Sequence, residues 1–598
     1  MEQNSLLLTL GHNSSAIFVY DDGNKIIGYE QERLSGIKAD SQFPKDAINE
    51  IINNVGYEQV KNCSIFISHW FNDKGLDKPV FCKYMTEIDY ENLLNISTNI
   101  VFTNKHFTHH DAHAFSALAF FENQRDSSIH KLLQRKVYTI VADGFGTNEE
   151  VISIYSCDYK KDNTPKLEHR VYGYESSVGL MYQYATSFCG MKENQDEYKF
   201  LGYESHIDEH LSDISIDVLD HLIDENVCYL YSKFNTHQDS DWLAQCTNDI
   251  VNYDKLHSVR KYWHNKLNDV VNTIFNRHDL QELSKEDKIF VKRCIVAYYV
   301  QQSIEIYFKR IIDEFEMSNV IVAGGCFYNV KLNNHILRNT KGLFCAMPLA
   351  GDQGAAIGMY RAMTGNKFSF ATLAFGKRRL YNAQKYFDKP NNGMNYFAPE
   401  FKCDMEDIID ELAHVISNGY IVNLVFDNME FGPRALCCTS TLFLPTEENV
   451  AANNHMNNRN EVMPCAPVCT AKNAIELFGV EDLSRVVGSD KYMICTHDYK
   501  KEISAQYAGV MHRKPIDDVY TGRPQIVNGG SFMHVLLERI EKICDVKCLV
   551  NTSFNAHGRP IAFDTMDILH NFTYQVEHAK PNKKPMLYVI DLKYYEQK

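Results

Sequence analysis

The sequence predicts an α/β protein of at least two domains, the first built on a repeated strand–turn–strand unit. Three observations carry this. At 598 residues the chain is longer than one hydrophobic core can hold. Two distant stretches repeat the order apolar strand, small polar turn, apolar strand. A stretch from about 366 to 400, with Lys389-Pro390-Asn391-Asn392-Gly393 in it, reads as a linker ahead of a fresh helix and strand.

In chain order, residues 6–10 are apolar, Gly11-His12-Asn13-Ser14-Ser15 is a polar turn, and residues 16–20 are apolar again. Asp21-Asp22-Gly23-Asn24 then turns tightly into residues 25–29. The second copy, about 130 residues on, runs from Val137–Ala142 through Asp143-Gly144-Phe145-Gly146-Thr147 into residues 151–156. Such a pair suggests duplication, with backbone N–H groups of the turns facing an anion between the halves. Two unrelated hairpins would give the same pattern, and the residues alone leave both open. Two more glycine turns open helices: Gly324-Gly325 after Asn319–Ala323, and residues 348–356. Helix amino termini beside glycine suit phosphate or ribose, although ordinary turns use glycine too.

Residues 176–315 are rich in helix patterns, and the helix Met405–Ser417 with the strand at 420–426 opens the second domain. That domain carries EFGPRAL (430–436), TGRPQIV (521–527) and NTSFNAHGRPI (551–561). The expected division is 1–385 and 386–598, with a helical insertion at about 205–315.

A composition of 44% hydrophobic and 23% charged residues is that of an ordinary soluble globular protein. A net charge of -16 argues against a general nucleic-acid binder and leaves room for a local basic pocket. No stretch approaches the roughly 20 apolar residues that span a bilayer. The first residues lack the basic and apolar regions of a signal peptide. The 17 cysteines contain no CxxC pair, so reduced thiols and a cytoplasmic location are expected.

The segment FTHHDAHAFSA (107–117) places three histidines and an aspartate in five positions. Thr108 and Asp111 have the spacing of a capping box, which starts a helix there. On it, Ala112, Phe115 and Ala119 form an apolar stripe, while His109 and His113 share one face, as two ligands of one metal would. The pattern is not HExxH, because His110 stands at the glutamate position. A carboxylate would complete a 2-His-1-carboxylate set suited to Fe(II). Metal ligands and surface histidines both remain open on spacing alone.

The ordered series GHNSSA, HHDAHAFSA, VADGFGTNE, EYKFLG, AGGCFYN, AGDQGAAIG, EFGPRAL, TGRPQIVN and NTSFN resembles the NodU-type O-carbamoyltransferases. That family includes the nodulation-factor, tobramycin and cephamycin enzymes, and the resemblance runs from about residue 8 to beyond 560. It implies an amino-terminal domain of the duplicated actin/Hsp70/sugar-kinase type, similar to the universal tRNA threonylcarbamoyl-modification protein, and a YrdC-like α/β carboxy-terminal domain. It implies that the second domain forms carbamoyl-adenylate from carbamoyl phosphate and ATP, and that the first transfers the carbamoyl group to a hydroxyl.

By matching motif, the resemblance implies His109, His113 and Asp352 as ligands of Fe(II), with His12 as general base beside the acceptor. Gly144, Gly146 and Thr147 would line the nucleotide phosphates, and Gly324, Gly325 and Asn329 the adenosine. Glu197 and Lys199 would hold ribose or phosphates. Arg434, Arg459, Arg523, Asn551, Ser553 and Asn555 would bind carbamoyl phosphate and the adenylate, with ATP entering as its Mg2+ complex.

The carboxy-terminal motifs also depart from the family. "GPRALGNRS" reads GPRALCCTS here, which puts Thr439 at the second arginine. The family's KxRE…RPFAP motif reads NNRNEVMPCAP, with Asn457 at the lysine and Met463 at the second arginine. Each charge-assisted hydrogen bond is worth roughly 1.5–3 kcal/mol, so three lost cations weigh against donor binding. Three readings follow: the carbamoyl phosphate-dependent transferase, a transferase with another donor, and a catalytically inactive nucleotide- or metabolite-binding sensor. The acceptor is expected to be a small molecule or nucleotide-like hydroxyl compound, and the charge argues against long nucleic acid. Trp242 and Trp263 in the insertion suit ring stacking or plain core packing. A homodimer is a family-level expectation, and no membrane contact is expected.

Overall fold

The structure, a computed structural model, describes residues 4–21, 23–71, 81–104, 106–124, 136–159, 161–236, 251–276, 283–378, 380, 396–397, 405–459, 462, 465–479, 483–503, 505–514 and 519–590. Met463 and Trp242 lie outside these residues, as does most of the stretch from 379 to 404.

Apolar runs bounded by the predicted turns form the first sheet. It contains β1 (Ser5–Thr9), β2 (Ser15–Tyr20), β3 (Lys25–Glu30), β4 (Ser64–Ser68) and β5 (Ile100–Phe102) in the order β3-β2-β1-β4-β5. Central β1 pairs antiparallel with β2 and parallel with β4, so Leu6 lies between Phe18 and Ile65. The second sheet repeats this plan with β6 (Val137–Ala142), β7 (Glu150–Asp158), β8 (Asp162–Tyr172), β9 (Asn319–Ala323) and β10 (Phe344–Ala346). Here β6 is central, antiparallel to β7 and parallel to β9, with Ile140 opposite Ile154 and Val322. The same order in both sheets is the duplication expected from the two hairpins.

Two helices, His109–Asn123 and Ala355–Thr364, bury one core against Leu7, Ile17 and Phe66 of the first sheet and Val137, Ile321 and Cys345 of the second. They approach backbone to backbone: a β-carbon on Gly358 would lie 1.7 Å from the carbonyl oxygen of Ala112. Only glycine fits that crossing. The capping box forms as expected, with the Thr108 hydroxyl accepting from the Asp111 N–H and the Asp111 carboxylate from the Thr108 N–H.

The helices Asp213–Thr236, Tyr253–Phe275 and Lys285–Glu314 fill the expected insertion, and Trp263 lies fully buried in their shared core. Trp263 is therefore a packing residue.

The carboxy-terminal sheet orders β11 (Tyr396–Phe397), β20 (Met586–Ile590), β12 (Val422–Phe426), β13 (Thr439–Phe443), β19 (Cys548–Ser553), β14 (Ala466–Cys469) and β18 (Gln525–Ile526) side by side. A small sheet of β15 (His497–Asp498), β17 (Val519–Gly522) and β16 (His512–Lys514) adjoins it. Residues 366–378, read from the sequence as the start of a linker, are instead packed. Phe368, Phe370, Leu373 and Phe375 are buried in the core between the first two sheets. Four apolar side chains in eight residues hold that strap down by the hydrophobic effect.

Candidate active site

The capping box fixes the first turn of the His109–Asn123 helix. Its free N–H groups find partners on the second hairpin: the Thr147 hydroxyl accepts from His109 (3.1 Å) and the Glu150 carboxylate from His110 (2.8 Å). His109 and His113, one turn apart, bring their Nε2 atoms to 3.1 Å. Asp352 Oδ1 lies 3.3 Å from His109 Nε2 and 3.8 Å from His113 Nε2. Asp143 Oδ2 lies 3.7 and 3.4 Å from the same two nitrogens.

The four ligand atoms all fall within 4.8 Å of one another. His110 turns away, with Nδ1 2.9 Å from Ser153 Oγ, and burial holds its ring well below the usual imidazole range. Burial alone would also depress His109, but the Asp352 and Asp143 carboxylates outweigh it and carry His109 up to about 10. Asp352 and Asp143 sit below the usual carboxylate range: burial opposes this, and the two histidines overcome it. Oδ2 of each carboxylate is buried without a hydrogen-bond partner. Two imidazoles and two carboxylates converging with buried lone pairs to spare fit a divalent transition-metal ion.

Asp143 was not among the expected ligands. It opens the DGFG turn, whose glycines draw attention to phosphate, yet the end of β6 delivers its carboxylate to the histidines. An acidic residue directly after a buried strand and facing a second such strand end was the available signal.

Of the expected nucleotide residues, Thr147 holds the His109 N–H, and Gly325 packs against Asp143. A β-carbon on Gly325 would lie 2.9 Å from Asp143 Oδ1, so the AGGCFYN turn touches the DGFG turn. Gly324, at φ +98°, passes where a β-carbon would be 2.2 Å from the Ala142 carbonyl. Asn148 and Glu149 take φ of 57° and 64°, two consecutive left-handed residues that only the surrounding structure can hold. Glu149 accepts from Lys255 at 2.6 Å, which ties the turn to the insertion. The side chain of Asn329 caps the Val330–Asn339 helix and donates to Gln301 at 2.7 Å. Lys199 pairs with Asp196 at 2.9 Å and reaches His557 of the carboxy-terminal unit at 3.4 Å. Burial raises the Glu197 carboxyl, and His12 is half-buried in the turn between β1 and β2.

The carboxy-terminal residues gather in two places. Arg459 donates to Thr552 Oγ1 (2.8 Å) and to Asn555 Oδ1 (2.8 Å), and the Ser553 hydroxyl also donates to Asn555. Asn551 donates to Gln525 (2.6 Å) and to the Ala435 carbonyl. Arg434 and Arg523 are both half-buried, the latter just beyond β17. Thr439 donates to Glu430 at 2.6 Å, and Asn457 is buried in an amide chain with Asn453 and Gln575. Neither presents a cation.

Sequence reasoning also missed Arg378. Its buried guanidinium donates to the carbonyls of Asp427, Ala562 and Cys438 and to the Thr439 hydroxyl, 3.6 Å from Glu430. A cation thus stands beside Thr439 after all, supplied by the packed strap.

Fold and site define a duplicated α/β protein with a histidine–carboxylate cluster between its halves. Residues 7–363 match the family described as Carbamoyltransferase N-terminus and residues 413–579 match Carbamoyltransferase C-terminus. The chain belongs to the carbamoyltransferase family, and carbamoyl transfer is its class of reaction. An uncharacterized protein of Methanocaldococcus jannaschii is 24% identical over 571 residues, 94% of this chain and 95% of that protein. Nodulation protein U of Rhizobium tropici is 30% identical over 249 residues, 40% of this chain and 39% of its own length. Among solved structures, HypF of T. kodakarensis overlays 61% of this chain and 47% of its own at 14% identity and a TM-score of 0.28. Among the described residues, no helix is long and apolar enough to cross a membrane.

Proposed function

We propose that the protein is an ATP-dependent O-carbamoyltransferase. Its YrdC-like carboxy-terminal unit first splits carbamoyl phosphate with water into carbamate and inorganic phosphate; the carbamate oxygen then bonds to the α-phosphorus of ATP, giving carbamoyl-adenylate and releasing pyrophosphate. The amino-terminal unit then transfers the carbamoyl group to a hydroxyl of a small-molecule or nucleotide-like acceptor. In that transfer the acceptor oxygen bonds to the carbamoyl carbon, the bond from that carbon to the adenylate oxygen breaks, and AMP leaves. His12 takes the hydroxyl proton.

The observation that carries this reading is the convergence of His109, His113, Asp143 and Asp352 within 4.8 Å beside the glycine turns. These four residues would hold Fe(II), which would supply positive charge next to the leaving phosphate. Gly144 leaves the backbone open to the nucleotide, while Gly146, Gly324 and Gly325 let the turns pack closely on Glu150, Ala142 and Asp143 around it. Thr147 and Asn329 shape the site indirectly, since their side chains already hold the His109 N–H and the Val330–Asn339 helix. Arg459, Ser553 and Asn555 form the preset part of the donor pocket, joined by Arg434, Arg523 and Asn551.

A second reading, another donor or a sensor without turnover, is favoured by Thr439 and Asn457, which are buried and committed to internal bonds. Pyrophosphate release from ATP, Fe(II) and purified protein, with and without carbamoyl phosphate, separates the two. Release that depends on carbamoyl phosphate supports the first. No release, with ATP binding shown separately, supports the second.

A further inference from the structure

The first turn of the His109–Asn123 helix is held from outside by a residue that belongs to none of the sequence motifs. Arg170, on the edge strand β8, reaches across β7 and places its guanidinium between two carboxylates. Its Nη2 donates to Asp111 Oδ1 at 2.8 Å, and its Nε lies 3.3 Å from Glu150 Oε2. The Arg170 side chain is 9% exposed and that of Glu150 is wholly buried. Two residues of β7 complete the arrangement. The Tyr155 hydroxyl donates to Asp111 Oδ1 at 2.6 Å, and Ser153 Oγ accepts from Arg170 Nε at 2.9 Å.

Both carboxylates act on the helix backbone. Asp111 Oδ2 accepts from the Thr108 N–H at 2.8 Å, and Glu150 Oε1 accepts from the His110 N–H at 2.8 Å. The Thr147 hydroxyl holds the N–H between them, that of His109. Three consecutive N–H groups at the helix start are therefore fixed, two of them by groups that Arg170 grips. The helix cannot rotate about its axis without breaking these bonds. That rotation decides where His109 and His113, one turn apart, present Nε2 to Asp143 and Asp352. The planar guanidinium suits the task, because its fork bonds two acceptors at once in fixed directions.

We propose that Arg170 is a positioning residue of the metal centre: its fork locks Asp111 and Glu150, and through them the orientation of the helix that carries His109 and His113. It acts through these two carboxylates and is not itself a ligand. Removing an outer partner of a metal site typically weakens metal binding by about 10–100-fold. The proposal rests on the reading above that the histidine–carboxylate cluster holds a metal ion.

The test is titration of the full chain with Co(II), whose visible absorption reports ligand geometry, with folding checked by circular dichroism. Arg170→Gln should bind Co(II) about tenfold or more weakly than wild type and shift the absorption band. Arg170→Lys keeps the charge without the fork, so it should restore thermal stability more fully than metal affinity. Val171→Ala is the control for a purely structural effect. It opens a cavity in the core at the neighbouring position of β8, so it should lower stability yet keep Co(II) affinity within about twofold and the wild-type band. Wild-type affinity and band in folded Arg170→Gln, or in Arg170→Lys if Arg170→Gln does not fold, would overturn the clamp. An equal loss of affinity in Val171→Ala would overturn it too. Wild type that binds no Co(II) would overturn the metal reading itself, and the clamp with it.

Discussion

Gly358→Ala tests whether the contact of the two central helices sets the geometry of the histidine–carboxylate cluster. The added methyl would lie 1.7 Å from the Ala112 carbonyl oxygen and 2.7 Å from the Ser116 nitrogen. Carbon and oxygen settle at about 3.3 Å or more, so the Ala355–Thr364 helix must retreat by roughly 1.6 Å. Both neighbours are backbone atoms in a helix, so no side chain can swing aside. Overpacking of this kind costs about 1–3 kcal/mol. Asp352 lies three residues before that helix, and a comparable retreat would open its 3.3 Å approach to His109. Chemical denaturation should therefore show a loss of about 1–3 kcal/mol. Fe(II) titration should show at least about tenfold weaker binding, equivalent to about 1.4 kcal/mol. Met363→Ala, an exposed change on the same helix, should stay within about 0.5 kcal/mol and keep the metal affinity. Wild-type stability together with wild-type metal affinity in Gly358→Ala would refute the reasoning.

Two further predictions concern buried charge. Arg378→Met leaves Glu430 and four carbonyls, those of Asp427, Ala562, Phe563 and Cys438, without their cation, so denaturation should show a loss of about 3–5 kcal/mol; a loss under about 1 kcal/mol would contradict the clasp. Burial, reinforced by Glu305, pushes the Glu204 carboxyl up to about 7 against the pull of Lys331. The folded state then holds a proton that the unfolded state releases near 4.5, so stability should fall as pH rises from about 4.5 to 7. Glu204→Gln should flatten that slope in denaturation series at fixed ionic strength, and an unchanged slope would assign it elsewhere.

Local chemistry made part of this legible. The paired hairpins announce themselves through alternating apolar runs and glycine turns, and Thr108 with Asp111 marks a helix start within four residues. His109 and His113 need only helical spacing, and Asp352 came from motif resemblance. What stayed hidden depends on assembly. Asp143 becomes a ligand candidate only when β6 ends beside the helix. Arg378 becomes a clasp only because four apolar neighbours bury its strap. Thr147 and Asn329 carry their motifs' expected polarity but use it on the backbone, a choice that spacing does not reveal.

The central claim is that His109, His113, Asp143 and Asp352 form one metal centre. Its most direct test is metal content after reconstitution with Fe(II) and desalting, in wild type and in His109→Ala/His113→Ala, with folding checked by circular dichroism. The account predicts about one iron per wild-type chain and none in the folded double variant. Wild type without metal, or a double variant that retains it, would contradict the account.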